Sequence, residues 1–318
     1  MVSRRDFLSI AGASAAGLLI GCRTSGSSGT EAAMSSASLS PVRADRIGVQ
    51  LYTVRDQMEK DFVGTLERVA RMGYKEVEFA GYYNHAPREV RALLDRLGLA
   101  SPSSHIGLDV LQKDLSAQAE LARVIGHEFI TVPALMEPLM GKAVGLDYWK
   151  KTAAEFNRIA RVLKDQGIDF AYHNHSFEFE PLAGGGNGYE ILLAETDPAL
   201  VKFELDLLWA TFAGQDPVAM FTKSPGRYAL WHVKDLRGTA AVREKAAASG
   251  GNAMQRMMGV MPSITAVGTG DIDFRRIFAQ ASTAGMKHFF VENDAAPNTP
   301  SSLTDIETSY GNLKKILA

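Results

Sequence analysis

Several features that define protein classes are scarce in this chain. A single cysteine, Cys22, in 318 residues leaves no internal disulfide framework. Neither sign of charge is in excess. The 34 basic and 36 acidic side chains give a formal net charge of −2, without the basic surplus of an electrostatic nucleic-acid binder. The apolar run from Ile10 to Gly21 falls short of the about 20 residues needed to cross a bilayer. What remains, with 46% hydrophobic and 22% charged residues, is ordinary globular composition. It is long enough for one large α/β barrel or two domains.

The N-terminus has the layout of an address rather than of structure. A charged head, Met1-Val2-Ser3-Arg4-Arg5, precedes the apolar run, and small residues lead to Cys22. Ser3-Arg4-Arg5-Asp6-Phe7-Leu8 resembles the twin-arginine export motif, and Leu19-Ile20-Gly21-Cys22 a bacterial lipobox. Residues 1–22 are therefore expected to be an export signal, with a lipid on Cys22 as the only membrane attachment of a periplasmic protein. Residues 23–43 are rich in Ser, Gly, Ala and Thr. They bury too little to offset their ordering entropy and are expected to be a linker. The catalytic domain is expected over 44–318.

From Arg46 onward, short apolar runs alternate with longer amphipathic stretches. Strands are expected at Ile47–Leu51, Glu76–Phe79, Ala100–Ser104, Phe129–Val132, Asp169–Tyr172, Val201–Leu205, Tyr228–His232 and His288–Val291. Helices are expected at Phe62–Met72, Glu89–Leu97, Trp149–Leu163, Phe274–Ala284 and Ile306–Leu317, several followed by a glycine suited to the C-terminal cap. Eight strand–helix units imply a closed (β/α)8 TIM barrel. The competing doubly wound sheet would carry a glycine-rich turn after its first strand, where Gln50-Leu51-Tyr52-Thr53-Val54-Arg55 has no glycine.

Barrel chemistry sits at the C-terminal strand ends. Four of the seven histidines, His105, His173, His175 and His232, fall there, with Glu78, Asp206, Lys234, Asp235, Glu292, Asn293 and Asp294. Imidazoles and carboxylates converging from separate strands suit a divalent cation. His173, Asp206, His232 and Glu292 form the expected ligand set. Period-two alternation lets His173 and His175 face one way, and likewise Glu204 and Asp206.

The segments Tyr172-His173-Asn174-His175-Ser176-Phe177-Glu178-Phe179, Phe203-Glu204-Leu205-Asp206-Leu207-Leu208-Trp209, Trp231-His232-Val233-Lys234-Asp235, Val267-Gly268-Thr269-Gly270-Asp271-Ile272-Asp273-Phe274 and Val291-Glu292-Asn293-Asp294 resemble the xylose-isomerase-like barrel superfamily of sugar phosphate isomerases and epimerases. The resemblance spans about Arg46 to Ala318. It implies Mn²⁺, Co²⁺ or a similar ion held by Glu, Asp, His and Glu, with the two glutamates acting on opposite faces of the substrate. Asp206, His232 and Glu292 match the last three positions. His173 stands at the first, so one carboxylate of that pair is missing, and the added nitrogen makes Zn²⁺ a candidate.

The expected chemistry is removal of a proton alpha to a carbonyl, leading to isomerisation, epimerisation or elimination. Glu292 is expected to act as ligand and acid/base. Lys234 is expected to stabilise an oxyanion or to pair with Asp235 or Glu204. Glu178 is expected to be a second base or to orient His175. Glu78, His105 and His175 are expected to bind substrate, with Trp209 and Tyr52 stacking on a sugar face and Trp231 in the core. The insertion Arg237–Val267, with Met254, Met257, Met258 and Met261, is expected to be a lid. The partner is a small, non-phosphorylated sugar and not a nucleic acid; self-association is left open. The competing functions are a 3-keto-glycoside lyase or hydratase, and a sugar-binding lipoprotein without chemistry. A metal-dependent endonuclease is opposed by the charge and the export signal.

Overall fold

The computed structural model describes residues 44–318; the expected signal, the linker and Cys22 lie outside the described residues. Eight strands close into a parallel barrel: β1 (Gly48–Gln50), β2 (Glu76–Phe79), β3 (Ala100–His105), β4 (Phe129–Val132), β5 (Asp169–His173), β6 (Val201–Asp206), β7 (Leu230–Val233) and β10 (His288–Val291). A separate antiparallel pair, β8 (Asp235–Leu236) with β9 (Ile264–Thr265), follows the seventh barrel strand. Among the described residues no helix is long and apolar enough to cross a membrane.

The helices form where the sequence caps them. Asp61 accepts the Gly64 N–H at the start of Phe62–Met72, which buries Phe62, Leu66 and Val69 and ends at Gly73 with φ of 109°. Pro87 opens the next helix, and the Glu89 carboxylate accepts the Ala86 N–H. One expectation is corrected: the stretch Phe274–Ala284 is two short helices, Phe274–Phe278 and Ala281–Ala284. The insertion carries helices Thr239–Ser249 and Ala253–Val260.

Inside the barrel, side chains stack in layers. Phe129, Ala171, Leu230 and Phe290 form a small apolar cluster separate from the main core between sheet and helices. Ala171, Leu230 and Phe290 stand two residues before His173, His232 and Glu292, and so lie on the same strand faces. Gly48 makes room for this layer: a Cβ there would meet the Phe290 ring at 2.6 Å. The apolar plug gives the polar groups above it a rigid, dry base.

Candidate functional site

Ladder pairing aligns the strand ends. His173 is in register with Glu204, and Asp206 with His232. One ligand atom from each of His173, Asp206, His232 and Glu292 lies within 4.8 Å of the others. His173 Nε2 is 3.3 Å from Asp206 Oδ2, and His232 Nδ1 is 2.6 Å from Glu292 Oε2. All four atoms are buried and make no well-directed hydrogen bond; their polar contacts are ion-pair approaches to one another and to Lys234 Nζ. Such atoms are costly unless something satisfies them.

The neighbours fix how each ligand presents itself. His173 Nδ1 lies 3.1 Å from the Pro133 carbonyl, which can only accept, so the proton is assigned to Nδ1 and the Nε2 lone pair points at the cluster. His232 Nε2 lies 2.7 Å from Glu78 Oε2 and 3.2 Å from Glu204 Oε2, leaving Nδ1 toward Glu292. His105 Nε2 in turn sits 2.7 Å from Glu204 Oε2 and 3.3 Å from Glu78 Oε2. Carboxylates behind an imidazole are the usual way to orient a metal-binding histidine. Asp206 uses Oδ1 to cap the Trp209 N–H, while its own N–H donates to Asn174 Oδ1.

The electrostatics call for positive charge. Asp206, Glu292 and Asp294 surround one ammonium, Lys234, whose Nζ is 3.0 Å from Asp206 Oδ2 and 2.8 Å from both Glu292 Oε2 and Asp294 Oδ2. Burial alone would neutralise these groups. The Lys234 charge and then His173 outweigh it at Asp206, whose pKa falls to about 2. At Glu292 burial is likewise overcome by Lys234 and His232, which hold its carboxyl well below the usual range. Burial pushes His232 down, but Glu204 and Glu292 drive it well above an ordinary imidazole. A cation at Nδ1 meets the demand that a second ring proton otherwise meets. His175 is held well below its ordinary value by burial, then by His173 and Lys234.

Above the cluster opens a cavity of about 490 Å³, bordered by His105, His173, His175, Lys234, Glu292 and Asp294 on its polar side. Tyr52 borders it too, with the Arg55 guanidinium 4.0 Å from its ring centre. Met254, Met257, Met258 and Met261 of the insertion also border the cavity.

Other expected site residues are placed differently. Glu178 does not border the cavity; its carboxylate is fully buried, accepting the Tyr172 hydroxyl at 2.6 Å and the His175 N–H at 2.9 Å. That removes it as a second base and makes it a positioning residue for the His175 backbone. Burial raises its pKa to about 7 despite the hydrogen bonds from Tyr172 and His175. Glu78 lies beneath the ligands rather than at the cavity surface. Trp209 is fully buried and cannot stack on a sugar in the cavity. Trp231 stacks on Phe221 in the core, at 4.8 Å and 6°. Lys234 pairs with Asp206, Glu292 and Asp294, not with Asp235 or Glu204. Asp235 instead accepts the N–H groups of Leu236, Gly268, Gly270 and Ile272. Gln50 was not anticipated: its Nε2 donates to Glu78 Oε2 at 2.8 Å, and its only sequence signal is a polar side chain ending the first strand.

A closed parallel barrel with imidazoles and carboxylates converging at its C-terminal mouth defines the class of this protein. Residues 66–310 match the Xylose isomerase-like TIM barrel family, and the chain belongs to it. Among curated relatives, the inosose dehydratase of Clostridium beijerinckii is 26% identical over 69% of this chain and 77% of its own. The rhizopine catabolism protein MocC of Rhizobium meliloti is 23% identical over 80% of this chain and 81% of its own. A solved sugar phosphate isomerase/epimerase from Parabacteroides distasonis superposes with a TM-score of 0.67 at 25% identity, over 86% of this chain and 95% of that one.

Proposed function

We propose that the protein is a divalent-metal-dependent enzyme that removes the proton alpha to the carbonyl of a keto-sugar, a keto-cyclitol or a keto-glycoside. The observation that carries this reading is the meeting of His173 Nε2, Asp206 Oδ2, His232 Nδ1 and Glu292 Oε2, all buried and none in a well-directed hydrogen bond. Two nitrogens and two oxygens suit Zn²⁺, Mn²⁺ or Co²⁺. Bound there, the cation supplies positive charge against the oxyanion that forms as the proton leaves. Glu292 borders the cavity and is the base that takes the proton. His105 and His175 hold substrate hydroxyls, and Lys234 adds charge at the same wall.

Among the outcomes of proton removal, elimination is the second reading. His173 stands where the resemblance puts a glutamate, and Glu178 is turned away, so the two-sided carboxylate pair of an epimerase is absent. One base suffices for elimination. The alpha C–H bond breaks, a C=C bond forms, the beta C–O bond breaks, and the departing oxygen takes a proton to leave as water or an alcohol. Relatives that carry the name inosose dehydratase support this reading. The sequence of residues 1–22 supports export by the twin-arginine route and anchoring through Cys22, as part of the same proposal.

The test follows alpha-proton exchange with D2O on oxidised sugars, in metal-replete and chelator-stripped protein. We expect exchange to be lost on stripping and restored by Zn²⁺, Mn²⁺ or Co²⁺. Glu292→Gln should cost about 10²–10⁴-fold. Undiminished exchange in fully demetallated protein would overturn the proposal. An enone product in place of an epimer distinguishes elimination.

A further inference from the structure

The wall facing the polar groups has a chemistry that a bare sugar does not need. Met254, Met257, Met258 and Met261 are spaced i, i+3, i+4, i+7, so the helix Ala253–Val260 and the residue after it present one continuous thioether face. All four border the cavity, with Leu139 and Pro133 beside them. Met257 is buried and fastens the helix. Met258 has 57% of its surface exposed and still borders the cavity. The volume of about 490 Å³ lies in the range of about 300–1,000 Å³ that encloses drug-sized ligands.

A phosphate suits this cavity poorly. Lys234 is surrounded by three carboxylates, and Glu292 and Asp294 would face the incoming anion. Arg55 lies over the Tyr52 ring, and both its terminal nitrogens donate to backbone carbonyls, of Tyr52 at 2.8 Å and Asp294 at 3.1 Å.

We propose that the methionine face is a subsite for an aryl aglycone, so that the substrate is a glycoside with an oxidised sugar ring over Glu292 and a flat aromatic group under Met254, Met258 and Met261. This rests on the reading of the polar side as a keto-sugar site and names its substrate class. Thioethers are flexible and polarisable, and they favour contact with aromatic rings. A methionine roof therefore grips an aryl group of variable outline while the polar side fixes the sugar.

The experiment measures calorimetric binding of phenyl and methyl 3-keto-glucosides to the full-length, metal-replete protein and to a Met254→Gln/Met258→Gln double variant. Neither side chain is buried, and a melting temperature confirms the variant's fold. We expect the phenyl compound to bind at least about 10-fold tighter than the methyl one in the wild type, with the ratio falling to within about 3-fold in the variant. Equal binding in the wild type overturns the subsite. So does an unchanged ratio in the variant, and so does no binding of either compound. Selective binding without proton exchange leaves the subsite standing and removes the proposed activity, so the two can fail separately.

Discussion

His232 reaches carboxylates through both ring nitrogens, and this sets how tightly the site can hold a cation. Nε2 is anchored by Glu78, at 2.7 Å, and by Glu204, at 3.2 Å, while Nδ1 faces Glu292. Glu78 is itself held by Gln50. Replacing Glu78 by Gln keeps the volume but removes a negative charge and one acceptor from behind the ring. The imidazole becomes less basic and less firmly oriented. We expect Glu78→Gln to weaken metal affinity about 10–100-fold, read by titration in a metal buffer, while the barrel still folds. Affinity equal to the wild type would mean that Glu78 only fills space. The same logic separates ligands from their supports, since Asp206→Asn removes a converging oxygen outright and should cost more.

At the scale of elements, the turn after the seventh barrel strand hangs on one carboxylate. Asp235 accepts the N–H groups of Leu236 (2.9 Å), Gly268 (2.9 Å), Gly270 (2.8 Å) and Ile272 (3.2 Å), tying β8 to the segment that returns from the methionine helix. Gly268 has φ of +80°, and a Cβ on Gly270 would collide with the Asp235 carboxylate, so both glycines are dictated by this cradle. Asp235→Ala strands several donors and should destabilise the protein by about 2–4 kcal/mol in urea unfolding. A loss under about 0.5 kcal/mol would show that water replaces the carboxylate freely. The motif was legible as a sequence, but its task was not. A salt bridge of Lys234 to Asp235 or Glu204 is one of the two expectations for that lysine, but Lys234 turns to Asp206, Glu292 and Asp294 and Asp235 to backbone N–H groups. Strand position explains what was legible. Titratable residues at the C-terminal ends of four separate strands singled out His173, Asp206, His232 and Glu292, and alternation put His173 with His175 and Glu204 with Asp206. β5 and β6 run one residue further than expected, to His173 and Asp206, because the ladder depends on backbone pairing and not on apolar side chains. Beyond the last paired residue that rule lapses. The orientations of Glu178 and Trp209 depend on turns whose geometry no periodicity encodes.

At the scale of the whole barrel, a second set of charged groups sits at the end of the strands away from the ligands. His288 opens β10 at the opposite end from the ligands. Its Nδ1 is 2.8 Å from Glu76 Oε2, and its Nε2 is 3.5 Å from Glu128 Oε2. Arg46 Nε pairs with the other Glu76 oxygen at 2.9 Å, and Lys287 and Arg46 also act on Glu128. Burial would lower the His288 pKa, but hydrogen bonds to Glu128 and Glu76 outweigh it and raise it from 6.5 to about 9. A histidine that binds its proton more tightly when folded adds stability below its unfolded pKa. That contribution is complete below about 6.5 and is lost as pH climbs through about 9. On the acid side, the hydrogen bond from His288 depresses Glu128, so its share is present above the unfolded carboxyl pKa and fades as pH falls through the lowered value. The pair is therefore strongest between the ordinary carboxyl and imidazole ranges. About 1.4 kcal/mol per pKa unit would give about 3 kcal/mol over the alkaline limb, reduced to about 2 kcal/mol because Glu128 is largely exposed and screened. His288→Gln should be less stable than the wild type at pH 6 and close the gap by pH 9.5, in urea unfolding at matched metal load. A gap of constant size across that range would show that His288 is held for its shape and not for its proton.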